Sequence, residues 1–240
     1  MKKTEITSIL PYLKGAIPIG VGTTAICFLM PNKNVLKLYI ELEGKINLFK
    51  YFDMNRHIEE LNMICNDTYI GPQEVLIKNN QVVGYIYPYV YARVLKRLSD
   101  KVEEEDILKG YKKLYTDTYL ISKQNFKLFD LHLKNMLYNG NYYVIDLDKG
   151  KIENQDNIFH YNIKEINKKI INSIFDLGMF DYVEFFDDDL EELFNQFDNY
   201  FAFKELIEKM FYGGLTKREV KQNCKINVIR KNPHYYHRYF

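Results

Sequence analysis

The stretch LFDLHLKNMLYNGNYYVIDLDKG, residues 128–150, sets two short apolar runs, Met136-Leu137-Tyr138 and Tyr142 to Leu147, on either side of Asn139-Gly140. Asn-Gly between such runs is the strongest short hairpin signal in the chain, because both residues accept the positive φ that a tight turn between twisted strands demands. Asp130 and Asn135 stand five positions apart ahead of the turn, and Asp146 stands beyond it, eleven positions after Asn135. A hairpin brings its ends together, so the three side chains can converge on one spot. Asn135 and Asp146 are hard oxygen donors of the kind that hold Mg²⁺ against nucleotide phosphates, which leaves Asp130 to accept a proton from an attacking hydroxyl. The plainer alternative for Asp146 is a carboxylate that caps a turn.

Towards the N-terminus, residues 17–40 read as three strands, IPIGVGTTAICFLM broken at its glycines, then VLKLYI after a Pro-Asn-Lys-Asn turn. Gly20-Val21-Gly22-Thr23-Thr24-Ala25 lies between two strands, where glycines let backbone N–H groups come close to phosphate oxygens. A strand rather than a helix follows it, and no Gly-Lys-Ser/Thr is present, so it is neither a dinucleotide fingerprint nor a Walker loop. Lys37 interrupts the apolar run Val35-Leu36-Lys37-Leu38, and alternation sets it on one face with Val35. A lysine facing a core needs an anion or a carboxylate partner. Periodicity predicts a helix from about Gly44 to Cys65, which offers Glu59 and Glu60. Glu60 is the expected partner, because Met63 and Ile64 lie one turn on as anchors. EVLIKNNQVVGYIYPYV then supplies two strands around Asn79-Asn80. The class expected is α+β, with a five-stranded antiparallel sheet and one helix in residues 1–88 and a mainly helical part in 89–240.

In that second part, residues 100–122 carry an apolar stripe that predicts one helix, and from about Asn162 onward only helix and loop are expected. The whole chain has 240 residues, 47% hydrophobic and 27% charged with a net charge of +1, which excludes disordered, collagen-like and wholly nucleic-acid-coating classes. Three cysteines with no CxxC spacing indicate neither a disulfide framework nor a zinc knuckle. Glu5 and Pro11 interrupt any leader-like run, and no stretch approaches the ~18 apolar residues of a membrane span. A reducing, cytoplasmic setting is expected.

Taken in order, the glycine loop, the strand lysine, the helix glutamate, Asp-x-x-x-x-Asn and the later apolar-Asp pair resemble the protein-kinase-like superfamily over about residues 13–150. That superfamily includes the aminoglycoside and choline phosphotransferases. The resemblance implies a bilobal fold that binds ATP and Mg²⁺. Gly20 and Gly22 would cover the phosphates. Lys37 would hold the α- and β-phosphates and pair with Glu60, Asp130 would be the catalytic base, and Asn135 and Asp146 would bind the metal. Tyr85 to Tyr89 would be a hinge that reads adenine with the Tyr87 carbonyl and the Tyr89 N–H, while Cys27, Val35 and Leu137 would enclose the purine.

The departures from that pattern refine the expectation. Leu128-Phe129 precede Asp130 where protein kinases often carry His-Arg, and residues 146–160 contain no Ser, Thr or Tyr to be phosphorylated. A constitutively competent site follows. His132 replaces the usual lysine near the γ-phosphate, a role that it or Lys134 would fill. The implied activity is transfer of the γ-phosphoryl of ATP to a hydroxyl, with a protein Ser/Thr acceptor leading and a small-molecule acceptor behind it. A nucleotide-binding module without catalysis and transfer of AMP are the readings from other classes. Residues 176–208 hold eleven acidic and one basic side chain, and residues 209–240 eight basic and one acidic. Such blocks are ordinarily solvated helix faces. A cationic acceptor for the first block and a partner-docking role for the aromatic tail are the sharper options, with membrane and nucleic-acid partners not expected.

Overall fold

A computed structural model describes residues 1–22, 24–40, 54–129, 131–147, 150–178 and 181–230. Residues Met1–Tyr91 with Asp146–Asp148 form one unit, and Ala92–Ile145 with Lys149–Phe240 form another. The architecture is α+β, and no helix among the described residues is long and apolar enough to cross a membrane.

The first unit holds β1 (Lys2–Glu5), α1 (Leu10–Leu13), β2 (Ile17–Val21), β3 (Ala25–Leu29), β4 (Asn34–Tyr39), α2 (Met54–Ile64), β5 (Glu74–Lys78) and β6 (Gln81–Pro88). Its sheet has six strands in the order β1-β5-β6-β4-β3-β2, which corrects the five-stranded antiparallel expectation. The added strand, β1, runs parallel to β5, Lys2 opposite Glu74 through Glu5 opposite Ile77. Its sequence, Lys-Lys-Thr-Glu, carries no apolar alternation, so the strand is held by main-chain pairing, and its charges suit a sheet edge. The predicted turns form. Asn79 and Asn80 both take positive φ, 52° and 59°, as a two-residue turn between β5 and β6 requires. In the Pro-Asn-Lys-Asn turn the left-handed residue is Lys33 (φ 61°), while the Asn32 side chain accepts from the Asn34 N–H at 3.2 Å.

Each face of this sheet buries an apolar layer. On one, Val75, Ile77, Val82, Tyr85 and Tyr87 pack with Ile58 of α2; on the other, Leu36, Leu76 and Ile86 are covered by Ile6, Ile9, Tyr12 and Leu13. The described part of the expected 44–65 helix begins at Met54, and residues 41–53 lie outside the described residues. Met63 is 55% exposed and anchors nothing, because Ile58, Leu61 and Ile64 already form the buried stripe of α2.

The second unit continues with β7 (Arg93–Val94), α3 (Glu104–Lys109), α4 (Tyr111–Lys123), β8 (Phe126–Lys127), β9 (Met136–Tyr138), β10 (Tyr142–Val144), β11 (Lys151–Ile152), α5 (Ile158–Ile174), β12 (Asp181–Phe185), α6 (Asp188–Asn195), α7 (Tyr200–Met210), α8 (Lys217–Asn223) and β13 (Ile226–Arg230). The helix expected over 100–122 is two helices broken at Gly110. The region after Asn162 is also not helix and loop alone, for β12 pairs antiparallel with β13 across more than forty residues. Val183 and Phe185 of β12 are buried and supply the apolar side of that ribbon.

Gly150 shows how closely this unit is packed. A Cβ there would stand 2.1 Å from the buried Phe126 ring. Gly150→Ala is expected to destabilise the protein by roughly 1–3 kcal/mol, since the ring cannot retreat from a filled core. A lowered urea midpoint with an unchanged slope is the check.

Candidate active site

Strand register brings several of the sequence-singled residues of the first unit onto one face. Gly20 lies opposite Cys27, Cys27 opposite Lys37, and Lys37 opposite Tyr85, while Val35 lies opposite Tyr87 in the next row. Directly opposed residues of antiparallel strands share a face, so Gly20, Cys27, Val35, Lys37 and Tyr87 form one surface. It is the face on which Ile58 of α2 packs. The rings along it meet edge to face, Tyr39 with Tyr85 at 6.0 Å and Tyr85 with Tyr87 at 6.2 Å.

The glycines behave differently. Gly22 closes the β2–β3 turn by donating its N–H to the Ala25 carbonyl at 2.8 Å. Gly20 has no positive φ, and a Cβ on it would meet nothing nearer than the Cys27 Cβ at 4.0 Å. Among the described residues, neither backbone strain nor packing therefore requires glycine at 20. Thr23 lies outside the described residues. At the proposed hinge, Tyr87 is buried, and the Tyr89 N–H donates to the Lys33 carbonyl at 3.3 Å.

Lys37 is not a solvated strand charge. Its side chain is 12% exposed, its ammonium donates to the Asp146 carboxylate, and it lies 5.5 Å from the centre of the Tyr39 ring. Asp146 is 34% exposed and holds a left-handed backbone, φ 63°, which aspartate tolerates better than most residues. The expected partner, Glu60, is half-buried on α2, and Glu59 is exposed. Asp146, expected as a metal ligand, is thus also a partner of Lys37, and no local spacing could have indicated this across 109 positions.

In the second unit, Asn135 ends a short 3₁₀ turn, Leu133–Asn135, and is 8% exposed. Its N–H donates to the His132 carbonyl and its carbonyl accepts from the Ile145 N–H, both at 2.9 Å, so the β9–β10 hairpin locks the backbone on either side of its turn. His132 is half-buried and Lys134 exposed. Leu137 is buried between Val94 and Tyr143. Asp130 lies outside the described residues.

One buried residue was not singled out from the sequence. Asn162 of α5 is fully buried, accepts from the Leu128 N–H at 2.8 Å, and donates to the Phe126 carbonyl at 2.8 Å and the Ser122 hydroxyl at 2.9 Å. It therefore sets the backbone that leads into Asp130. The available signal was a polar side chain among Ile158, Ile163 and Ile166 on the apolar stripe of a helix. Asn162→Leu, similar in volume, leaves buried polar groups unmet at roughly 1–3 kcal/mol each. It is expected to lower the urea midpoint far more than Ser122→Ala, which leaves the two backbone bonds of Asn162 in place.

The three cysteines are free. Cys65 is exposed as a residue, yet its sulfur donates to the Leu61 carbonyl at 2.7 Å, and burial pushes the thiol up to about 11, so it is no nucleophile. Among the described residues no group of three or more His, Cys, Asp or Glu side chains is arranged to hold a metal by itself. The donor chemistry of Asn135 and Asp146 suits Mg²⁺, which commonly takes one or two protein oxygens and completes its shell with phosphates and water. No protein-family model matches the sequence, and no curated protein matches it.

Proposed function

We propose that this chain is an ATP- and Mg²⁺-dependent phosphotransferase with a protein-kinase-like, bilobal fold, moving the γ-phosphoryl of ATP to a hydroxyl. One observation supports it above the others. Lys37 and Asp146, which the order of motifs assigns to a single phosphate and metal centre, are joined as an ion pair over 109 positions of chain. Gly20 adds to it, since among the described residues nothing would crowd a Cβ there, which leaves the backbone open to a ligand.

In this reading Gly20 and Gly22 lie over the phosphates, and Cys27 and Val35 line the purine. Lys37 neutralises the α- and β-phosphates, and Glu60 orients it. Asp130 accepts the acceptor's hydroxyl proton as the oxygen attacks the γ-phosphorus and the bond to the bridging oxygen of ADP breaks. His132 faces the charge that spreads over the transferred group. Mg²⁺ would be held by Asn135 and Asp146 and supplies charge neutralisation on the phosphate oxygens.

A protein Ser/Thr hydroxyl is the first acceptor proposed. A small-molecule hydroxyl is the second, and the shortness of the chain between Asp146 and the start of α5 at Ile158 favours it, leaving little segment on which a polypeptide could dock. Incubation with γ-labelled and α-labelled ATP, Mg²⁺ and panels of both acceptor types tests the proposal. Label from the γ position alone, lost in Asp130→Ala, supports it; α-label on an acceptor indicates AMP transfer, and binding of ATP with no transfer indicates a binding module. Gly20→Ala is expected to raise the KM for ATP several-fold with stability changed by less than about 0.5 kcal/mol, as for substitutions away from packed sites. A thermal melt alongside the kinetics separates the two effects.

A further inference from the structure

The second unit holds a cavity of about 280 Å³ against the first turns of α5. That size is near the lower end for small-molecule sites and suits a small metabolite. Four charged side chains line it, Lys127, Asp156, Lys164 and Asp198, together with His160 and Tyr161. Two of the four are already matched. Lys127, only 15% exposed, donates to Glu153 at 3.3 Å and to Gln155 at 3.0 Å, and lies 4.6 Å from the centre of the Tyr161 ring. The Asp198 carboxylate meets Nδ1 of His160 at 3.3 Å. Lys164 and Asp156 are different. Among the described residues neither forms an ion pair or a side-chain hydrogen bond, and the Lys164 ammonium has only the Phe197 ring, at 5.9 Å. Asp156 precedes the start of α5 and Lys164 stands about two turns along it, roughly 11 Å of rise, which keeps them from closing on each other.

The balance of signs chooses the ligand. A phosphate or other dianion would meet Asp156 and Asp198 as well as the lysines, and an amine alone would meet Lys127 and Lys164. Like charges repel more strongly in a partly enclosed site than in bulk water. A small molecule that carries both an ammonium and a carboxylate gives each unmatched side chain its complement and leaves the cavity neutral. We infer that this cavity binds a free amino acid or an amino-acid-like zwitterion, its carboxylate on Lys164 and its ammonium on Asp156, beside the Tyr161 ring. The site uses none of the residues assigned above to nucleotide, metal or proton transfer, so it stands or falls apart from the phosphotransfer reading.

Isothermal titration calorimetry of the full chain with the standard L-amino acids, supplied singly at millimolar concentration, tests this, with inorganic phosphate, acetate and ethylamine as probes of one sign. At least one amino acid is expected to bind, and about tenfold or more tighter than any of the one-signed probes, since a hydrogen bond to a charged group contributes on that scale. Lys164→Met and Asp156→Asn should each weaken that amino acid by about tenfold or more. Lys164→Arg keeps the charge and should retain most of the affinity. Both positions are exposed, so the melting temperatures of these variants should match that of the wild type. An amino acid whose affinity is unchanged in either Lys164→Met or Asp156→Asn is not held as assigned, and that result would overturn the proposal. Tighter binding of phosphate, acetate or ethylamine, or no binding of any amino acid, would overturn it too.

Discussion

Asp146→Ala is expected to cut phosphoryl transfer by about a thousandfold or more, the scale on which charge-stabilising groups and metal ligands act on such reactions. Two losses combine. On the proposed reading the variant gives up an oxygen donor for the cation, and it takes from Lys37 the carboxylate to which its ammonium now donates. Because Lys37 is largely buried, the second loss also reaches stability, by roughly 1–3 kcal/mol for a buried charged donor deprived of an acceptor. Lys37→Met should lose activity on a similar scale. If both residues serve one centre, the double variant will be little worse than either single one, since groups that act as a unit have non-additive effects. Single-turnover rates for the two singles and the double provide the measurement. Additive losses would show that the two side chains work independently and would sink the shared-centre assignment.

The largest stability effect is expected away from the site, at Asp176. Lys217 of α8 is 1% exposed, and its ammonium donates to the Asp176 carboxylate at 2.6 Å and to the Leu98 carbonyl at 3.0 Å. Lys221 donates to the second oxygen of Asp176. The two ends of this network are not equivalent, for Asp176 is 44% exposed and Lys217 is buried. Lys217→Met leaves a carboxylate that water and Lys221 can still satisfy. Asp176→Ala leaves a buried ammonium with the Leu98 carbonyl and an Asp100 oxygen at 3.8 Å, and because Asp100 remains and Asp176 is partly solvated the loss is about 3 kcal/mol, the low end of what breaking a buried pair costs. Asp176→Ala should therefore lower the melting temperature by clearly more than Lys217→Met does.

The same network carries a pH dependence. Burial by itself would raise the Asp176 carboxyl, but hydrogen bonds from Lys217 and Lys221 outweigh it and hold the group below its ordinary value of 3.8. A carboxyl whose folded value is lowered contributes stability that is present above the ordinary value and is lost as the pH falls through the folded one. The gap between wild type and Asp176→Ala should accordingly be full near neutrality and shrink below about pH 3.8. A gap that stays constant to pH 2 would mean that Asp176 acts by packing and not by charge.

Much of the local structure was legible in the residues themselves. Asn79-Asn80 announce their turn because few side chains tolerate the left-handed angles both residues take, whereas the hairpin at Asn139-Gly140 forms with a three-residue loop, Asn139–Asn141, in which Gly140 alone is left-handed (φ 98°). The alternation in residues 17–40 and 74–88 reports strands, although β2 stands exposed along its whole length at the sheet edge. Lys37 stood out as a cation among apolar neighbours, and Asn135 and Asp146 as oxygen donors around one hairpin. What escaped was of another kind. β1 has no apolar pattern to reveal it, and β12 and β13 find each other across more than forty residues. Asn162 looks like a blemish on an apolar stripe until the unmet backbone groups of Phe126 and Leu128 are placed beside it.

From sequence alone came the α+β class, the hairpins and the side chains proposed here to serve phosphoryl transfer, since turn angles and side-chain period depend only on near neighbours. Tertiary structure decided the sixth strand, the pairing of Lys37 with Asp146, and the burial of Lys217 against Asp176. A charge or an unpaired backbone group taken from water must find its complement wherever the topology brings one, and that address is not written in the residues beside it.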